Sequence, residues 1–171
     1  MANLAFAPEN EQLMMGVDIG TSGVKAVLYK YPLQLQKKAS APLQLSKPRP
    51  NYAEQDADTV AQVTFNLLSQ FASSASMAFV SFSAAMHSLL AVDHYDKPLT
   101  PAITWADNRS ASYAQLLKQD EQVAKNLLET GTPLHPMSPL AKLLWLKARK
   151  PAIFKKAVRF VSLKEYIFFQ L

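Results

Sequence analysis

At 171 residues with 49% hydrophobic content, the chain is long enough to bury a core, and its length predicts one domain with at most a small excursion. It contains no cysteine, which excludes a disulfide framework and a thiolate metal site and is compatible with a reducing cytoplasm. The segment before Leu13 lacks the basic and apolar regions of a signal peptide, and no eighteen apolar residues run uninterrupted. We therefore expect a cytoplasmic protein without a membrane partner.

The net charge is +5, and the basic excess lies partly near the C-terminus, in Lys142, Lys147, Arg149, Lys150, Lys155, Lys156, Arg159 and Lys164. Such an excess attracts anionic substrates or nucleic acid. Aromatic residues are not interleaved with these charges as a groove for single-stranded nucleic acid requires. We interpret the basic residues as a solvated helix face and expect no nucleic-acid partner.

The predicted elements alternate between strands and helices. Apolar runs predict strands over 13–18, 24–31, 33–45 (broken by Pro42), 77–83 and 89–93. Helical spacing predicts helices over about 56–72, capped by Asp56 or Asp58, and over about 110–128, 139–149 and 162–171. This order predicts a mixed α/β fold that begins with antiparallel hairpins.

The first predicted hairpin, residues 13–29, has the composition of a phosphate-binding loop. Three of the chain's four glycines, at positions 16, 20 and 23, lie in it, which indicates a backbone that needs positive φ or close approach by a ligand. Backbone N–H groups with the hydroxyls of Thr21 and Ser22 suit phosphate oxygens. Asp18 suits a hydrated Mg²⁺, and Lys25 adds positive charge.

A plain hairpin with a polar turn explains the same hairpin residues when they are taken alone. Two other phosphate-binding loops are disfavoured, because the chain has neither the Walker pattern G-x-x-x-x-G-K-[ST] nor a G-x-G-x-x-G that opens a helix.

Two later segments carry side chains suited to a small polar substrate. His87 follows a predicted strand, where its imidazole can face a cleft, although a hydrogen-bonded structural histidine is the commoner case. Trp105 is either a core anchor or part of a site. Asp107 and Arg109 form either a surface ion pair of little energetic value or part of the same site.

The hairpin resembles the first phosphate motif of the actin, sugar kinase and Hsp70 superfamily. Four later segments resemble, in the same order, those of the FGGY carbohydrate kinases, which include glycerol, xylulose and gluconate kinases. They are NYAEQD at 51–56, SAAMHSLLAVD at 83–93, PAITWADNR at 101–109 and TGTPLHPMSPLAKLLWL at 130–146. Together with the hairpin they extend over almost the whole chain.

The resemblance implies a ribonuclease-H-like (actin-like ATPase) half domain with a mixed sheet flanked by helices. It implies ATP and Mg²⁺ as cofactors, with the phosphates and metal held by Asp18, Gly20, Thr21, Ser22 and Lys25, Asp18 being the metal ligand. It places the sugar near Met86, His87, Trp105, Asp107, Arg109 and Met137. In that reading Asp107 serves sugar hydroxyls, while Arg109 binds a carboxylate or orients Asp107.

The choice of sugar follows from finer similarity. Typical xylulose kinases carry glycine and glutamine before the Met-His pair and glycine after it, whereas this chain has Ala84, Ala85 and Ser88. These residues, with LHPMSP at 134–139 and SLKEY at 162–166, are more similar to the gluconate kinase branch. The implied reaction is phosphorylation of D-gluconate to 6-phosphogluconate by ATP, with xylulose or a polyol as the alternative substrate.

In the FGGY family the catalytic base and the adenine pocket belong to a second domain. Because this chain ends at Leu171, we expect residues 1–171 to be a truncated N-terminal domain that lacks the C-terminal nucleotide-binding domain and is inactive alone. The expected partners are a sugar acid and ATP, and the exposed apolar surface of such a fragment favours homo-oligomers. A non-catalytic, sugar-responsive module is the alternative from another functional class.

Overall fold

The computed structural model describes residues 12–71, 77–131 and 134–171. In chain order its elements are β1 (Leu13–Ile19), β2 (Gly23–Lys30), β3 (Gln34–Pro42), β4 (Glu54–Gln55), α1 (Ala57–Ser69), β5 (Met77–Ala84), β6 (Leu90–Val92), β7 (Ala102–Ile103), α2 (Ala111–Gln119), α3 (Glu121–Glu129), α4 (Pro139–Arg149), α5 (Pro151–Lys156), β8 (Arg159–Val161) and α6 (Leu163–Phe168). The mixed α/β class expected from the sequence is confirmed. The chain divides into two compact units, each made of two segments. The first unit consists of the described residues up to Leu43 together with Gln62–Ala84. The second unit consists of Gln44–Ala61 and Ala85–Leu171.

The first unit is built on a four-stranded sheet in the order β3-β2-β1-β5. The β1–β2 and β2–β3 pairs are antiparallel, and β5 pairs with β1 in parallel. Alternate residues of β1 and β2 are buried, namely Leu13, Met15, Val17, Ile19, Val24, Ala26 and Leu28. The intervening residues therefore form the other face of the sheet, and Asp18 and Lys25 are exposed on it.

The prediction that the hairpin glycines need positive φ is wrong, whereas their predicted close approach to a ligand stays a prediction. Among the described residues, Gly131 is the glycine with positive φ, at 69°, so the glycines at 16, 20 and 23 do not adopt that conformation. A Cβ built on Gly23 would lie 2.8 Å from the carbonyl oxygen of Ala41 in β3. Gly23 is thus required by the close approach of a neighbouring strand.

The second unit has two small antiparallel pairs, β4–β7 and β6–β8, and five of the helices, α2 to α6, lie within it entirely. One core cluster consists of Ala91, Ile103, Trp145 and Leu146, with half-buried side chains that include Tyr52 and Tyr113 packed against it. The other consists of Ala114, Leu117 and Ala141. Helix α4 supplies residues to both clusters and so joins the strand pairs to α2.

Helix ends follow the capping residues closely. The carboxylate of Asp56 accepts a hydrogen bond from the amide of Thr59 at 2.7 Å, which confirms the predicted cap of α1. The expected end of that helix at Ala72 lies outside the described residues. Ser162 and Glu165 form a reciprocal capping box at the start of α6.

The prediction of one continuous helix over 110–128 is wrong. The span 110–128 forms two helices, α2 and α3, because Asp120 adopts an extended conformation between them. Its carboxylate then accepts from the amide of Val123 at 3.0 Å and begins the second helix. The third strand is also shorter than predicted, ending at Pro42 instead of residue 45. No helix in the described ranges is long and apolar enough to cross a membrane.

Candidate functional site

The strand register places the polar side chains of the hairpin side by side. Asp18 of β1 lies opposite Lys25 of β2 on one side and opposite Ser83 of β5 on the other. All three residues are exposed. They line a cavity of about 410 Å³ together with Gly16, Val17, Val27, Ser81 and Phe82. Asp18 is therefore held by a central strand and is open to a ligand.

The turn between β1 and β2 is closed by backbone hydrogen bonds. The amide of Gly20 donates to the carbonyl of Gly23 at 2.9 Å, and the carbonyl of Ser22 accepts from the amide of Leu43 at 3.0 Å. The Gly20 amide is thus engaged within the turn. Exposed side chains at Asp18, Ser22 and Lys25 remain as groups that a phosphate and its metal can reach.

Asp18 is suited to bind a magnesium ion that accompanies a phosphate substrate. In the part of the chain that the structure describes, no three His, Cys, Asp or Glu side chains gather into a ready-made metal cluster. Mg²⁺ in phosphate sites is held by one or two carboxylates and takes its other oxygen ligands from phosphates and water. One exposed carboxylate on a fixed strand meets that requirement, and Asp18 is the residue that would hold the ion.

The segments that carry His87 and Trp105 are joined by the bridge between Leu89 and Ile103. Each of these two residues donates its amide to the carbonyl of the other, at 2.9 and 2.8 Å. His87 lies two residues before Leu89, and Trp105 two residues after Ile103, so each belongs to a turn that adjoins the bridge. Trp105 is 49% exposed, and the neighbouring Met86 is 72% exposed. A core-anchor role for Trp105 is therefore wrong.

The turn that carries Trp105 is fastened to Ala53 from both sides. The amide and hydroxyl of Thr104 both bond the carbonyl of Ala53, at 3.0 and 2.9 Å. The amide of Ala53 donates to the carboxylate of Asp107 at 2.6 Å. The exposed indole thus stands on a rigid backbone.

Asp107 and Arg109 form a buried ion pair, so their interpretation as a surface pair is wrong. Their side chains are 0% and 5% exposed. Asp107 accepts from the backbone amide, Nε and Nη2 of Arg109 at 3.0, 2.8 and 2.6 Å, and Arg109 Nη2 also donates to Glu54 at 2.6 Å. Both oxygens of Asp107 are thus engaged within the protein.

Aromatic rings complete the surroundings of the Arg109 guanidinium. Its central carbon lies 3.6 Å from the ring centroid of Tyr52 and 5.0 Å from that of Trp145. Burial by itself would lower the pKa of Arg109, but the hydrogen bonds to Asp107 and Glu54 outweigh it and raise the pKa above its ordinary value. Arg109 is therefore a permanent cation that fastens β4 to the Trp105 turn.

Met137 lies half-buried in the turn that leads into α4. Its amide donates to Nδ1 of His135 at 3.1 Å, and the preceding carbonyl of Pro136 accepts from the hydroxyl of Ser110 at 2.8 Å. These bonds fix the turn that carries Met137 to the start of α2.

A lysine that sequence reasoning placed on a solvated face belongs instead to the interior. Lys142 of α4 is 0% exposed, whereas the other seven residues of the C-terminal basic group are exposed as predicted. Its ammonium donates to the carbonyl of His87 and lies 3.4 Å from that of Ile103. The sequence signal was its position in the apolar stripe of α4, between Ala141 and Trp145 and one turn before Leu146.

A separate cavity of about 340 Å³ lies among loop 48–54, residues 99–103 and helices α4 and α5. Arg109 is the one predicted sugar residue in its described lining, and its guanidinium is already engaged by Asp107 and Glu54. Met86, His87 and Trp105 are not in that lining, and the exposed side chains among them, Met86 and Trp105, lie on the open surface outside this cavity.

Known proteins are similar to this chain in sequence and in fold. The model of the FGGY family of carbohydrate kinases, N-terminal domain, matches residues 13–171. The chain is 40% identical over 161 residues to the gluconokinase of Bacillus subtilis (strain 168), covering 92% of this chain and 31% of the relative. It is 29% identical over 158 residues to the xylulose kinase of Escherichia coli (strain K12), covering 91% and 32%.

Among solved structures, the gluconate kinase of Lactobacillus acidophilus superposes with a TM-score of 0.85 at 34% identity, over 94% of this chain and 33% of that one. FGGY carbohydrate kinases have the actin-like ATPase fold, as the sequence resemblance implied. The chain spans about a third of the length of these relatives. It belongs to the FGGY family of carbohydrate kinases and matches the N-terminal domain of that family.

Proposed function

We propose that this chain is the sugar- and phosphate-binding part of a kinase that uses MgATP to phosphorylate D-gluconate at its primary hydroxyl. The observation that carries the choice of sugar is the difference in identity, 40% to a gluconokinase against 29% to a xylulose kinase over alignments of similar length. The open surface of Met86, His87 and Trp105 is the proposed sugar site. A xylulose or polyol substrate is the alternative.

In the proposed reaction the bond between the γ-phosphorus and the β,γ-bridging oxygen of ATP breaks while the hydroxyl oxygen of the sugar bonds to the phosphorus in line. Such transfer depends mainly on positioning and charge neutralisation. Asp18 would hold Mg²⁺, which neutralises phosphate charge, and Lys25 and Ser22 would contact phosphate oxygens. Thr21 and Gly20 complete the turn that supports them.

The hydroxyl proton requires a base, which we place in the C-terminal nucleotide-binding domain that the family resemblance implies. Asp93 is a poor candidate, because backbone hydrogen bonds from Lys97 and Tyr95 lower its pKa. Asp107 is excluded as a base by its engaged oxygens. In this proposal residues 1–171 position the substrates and do not complete the reaction alone.

The buried pair refines the roles proposed for the sugar residues. Asp107 and Arg109 act by fixing the turn of Trp105, and they do not contact the sugar directly. Trp105 offers a flat apolar face to the C–H groups of the substrate, and His87 offers a hydrogen-bonding group to its hydroxyls. Met86 and Met137 supply adaptable apolar contact.

The test is MgATP-dependent ADP release by the complete gene product, with gluconate, xylulose and glycerol compared in parallel. We expect turnover with gluconate and its loss in Asp18→Asn. Asp96→Asn is the matched control, because Asp96 is an exposed aspartate whose pair with Arg159 lies on the surface. Turnover with xylulose but not gluconate overturns the choice of sugar. Absence of turnover with all three, with sugar binding retained, favours the non-catalytic module.

A further inference from the structure

Lys142 is the one buried lysine among the residues that the structure describes. A buried charge is costly unless it is paired or hydrogen-bonded. Its ammonium bonds the main-chain carbonyls of His87 and Ile103, which belong to the two segments joined by the Leu89–Ile103 bridge. One side chain of α4 thus holds both segments of the open surface at once.

The carbonyl that Lys142 holds belongs to a residue in an unusual conformation. His87 has a φ of 65°, in the left-handed region that residues other than glycine seldom adopt. Such a conformation is strained and persists only when the surrounding structure enforces it. A charge-assisted hydrogen bond to the His87 carbonyl fixes the peptide plane that this conformation creates.

We propose that Lys142 is a positioning residue for the sugar site, holding His87 in its left-handed conformation at the turn before the Leu89–Ile103 bridge. The identity of the sugar in this role rests on the proposed function, whereas the contact between Lys142 and His87 rests on the structure alone. Burial lowers the pKa of Lys142 to about 8, with Asp107 opposing and Arg109 reinforcing that shift. The lysine is therefore charged at neutral pH and donates a strong hydrogen bond there.

Removal of the ammonium is expected to release His87. Lys142→Met keeps the length and apolar stem of the side chain and removes the donor. In the 171-residue chain, NMR scalar coupling and the Cα shift of His87 report its φ, and we expect both to move away from left-handed values. Lys147→Met, an exposed lysine on the same helix, is the matched control and is expected to leave them unchanged.

The kinetic test uses the complete gene product. We expect Lys142→Met to raise KM for gluconate at least about tenfold, with KM for ATP within about twofold of the parent. A general loss of structure would instead lower the active fraction and kcat without selecting the sugar KM. An unchanged His87 conformation together with an unchanged sugar KM overturns the positioning role.

Two further measurements keep the inference independent of folding and of the proposed function. If Lys142→Met does not fold, the ¹³C shifts of the His87 and Ile103 carbonyls in the unsubstituted chain are followed from pH 7 to 9 beside the Lys142 ¹⁵Nζ signal. The carbonyl shifts are expected to follow the lysine, and constant carbonyl shifts contradict the proposal. If the parent protein turns over no gluconate, the proposed function fails while the His87 measurements still decide the role of Lys142.

Discussion

The Asp18 hairpin and the Asp107–Arg109 pair both concentrate polar residues, but they use them in opposite ways. Asp18 and Lys25 are exposed on the face of a sheet. Asp107 and Arg109 have side chains that are 0% and 5% exposed and are bonded to each other and to the backbone. Polar groups whose bonds are completed within the protein hold structure, whereas exposed polar groups on a rigid support are available to a ligand.

The source of rigidity differs accordingly. Asp18 is fixed by backbone pairing on both sides of β1, so its side chain needs no partner to be placed. The Trp105 turn has little regular structure and is fixed by side chains, chiefly Asp107, Arg109 and Thr104. Substitutions that disturb the backbone are therefore expected to destabilise the Asp18 hairpin, and substitutions that remove side-chain bonds are expected to destabilise the Trp105 turn.

The largest expected effect is the loss of the buried pair. Asp107→Ala leaves the Arg109 guanidinium buried with Glu54 as its one carboxylate and removes the acceptor of the Ala53 amide. Breaking a buried ion pair from one side costs about 3–5 kcal/mol, and we expect a loss of that size in the free energy of unfolding. Urea denaturation of the 171-residue chain measures it.

Arg159→Ala is the control for that loss, because Arg159 and Asp96 form an ion pair with side chains 45% and 42% exposed. Exposed pairs contribute about 0–1 kcal/mol. Equal losses in the two variants would contradict the distinction between a buried structural pair and a solvated one.

The next effect concerns the backbone of the hairpin. In Gly23→Ala the new Cβ would lie 2.8 Å from the backbone carbonyl oxygen of Ala41, so β2 and β3 must separate. We expect a destabilisation of about 1–3 kcal/mol, as is typical of overpacking. Gly16→Ala is the control, since its Cβ meets a side-chain carbon of Val27 at 3.3 Å. Equal stability of both variants would show that strand approach does not require Gly23.

A smaller effect depends on pH and concerns Lys142. Its pKa falls from 10.5 to about 8 on folding, so between these pH values the unfolded chain binds the proton and the folded chain does not. Stability from this group therefore rises with pH over that window. We expect the destabilisation caused by Lys142→Met to be about 1–2 kcal/mol greater at pH 9 than at pH 7.

Urea denaturation of the parent and of Lys142→Met at both pH values measures this difference in stability. The contributions of the other titrating groups largely cancel between the two proteins. Asp107 and Arg109 are the charged groups that act on Lys142. A difference that is constant with pH would mean that the Lys142 pKa is the same in the folded and unfolded chains.

The sequence predicted the elements whose signals are local. The hairpin strands, α1 with its Asp56 cap, and α4 were predicted within a few residues, because apolar periodicity and capping residues are read along the chain. Break points such as Asp120 were missed, since one extended residue between two helical stretches leaves little trace in periodicity. The two-residue strands β4 and β7 were also missed, because each is stabilised by the other from a distance.

The residues of the candidate site stay a prediction, and the structure shows surroundings for two of them that the sequence did not indicate. The resemblance supplied His87 and Trp105, and the structure places them in turns on either side of the Leu89–Ile103 bridge. The engaged state of Asp107 and the burial of Lys142 depend on Ala53 and His87, which lie more than fifty residues away in the sequence. No pattern read along the chain contains such contacts, so a charged residue looks solvated until the fold supplies its partner.

The smallest expected effect concerns Asp18, the exposed carboxylate of the hairpin. Asp18→Asn replaces an exposed carboxylate whose strand is held by backbone pairing, so we expect the free energy of unfolding to change by less than about 0.5 kcal/mol in urea denaturation. A loss above about 1 kcal/mol would mean that Asp18 is structural, like Asp107. A neutral result combined with lost turnover in the complete protein would show that this carboxylate is retained for a ligand, because the fold does not depend on it.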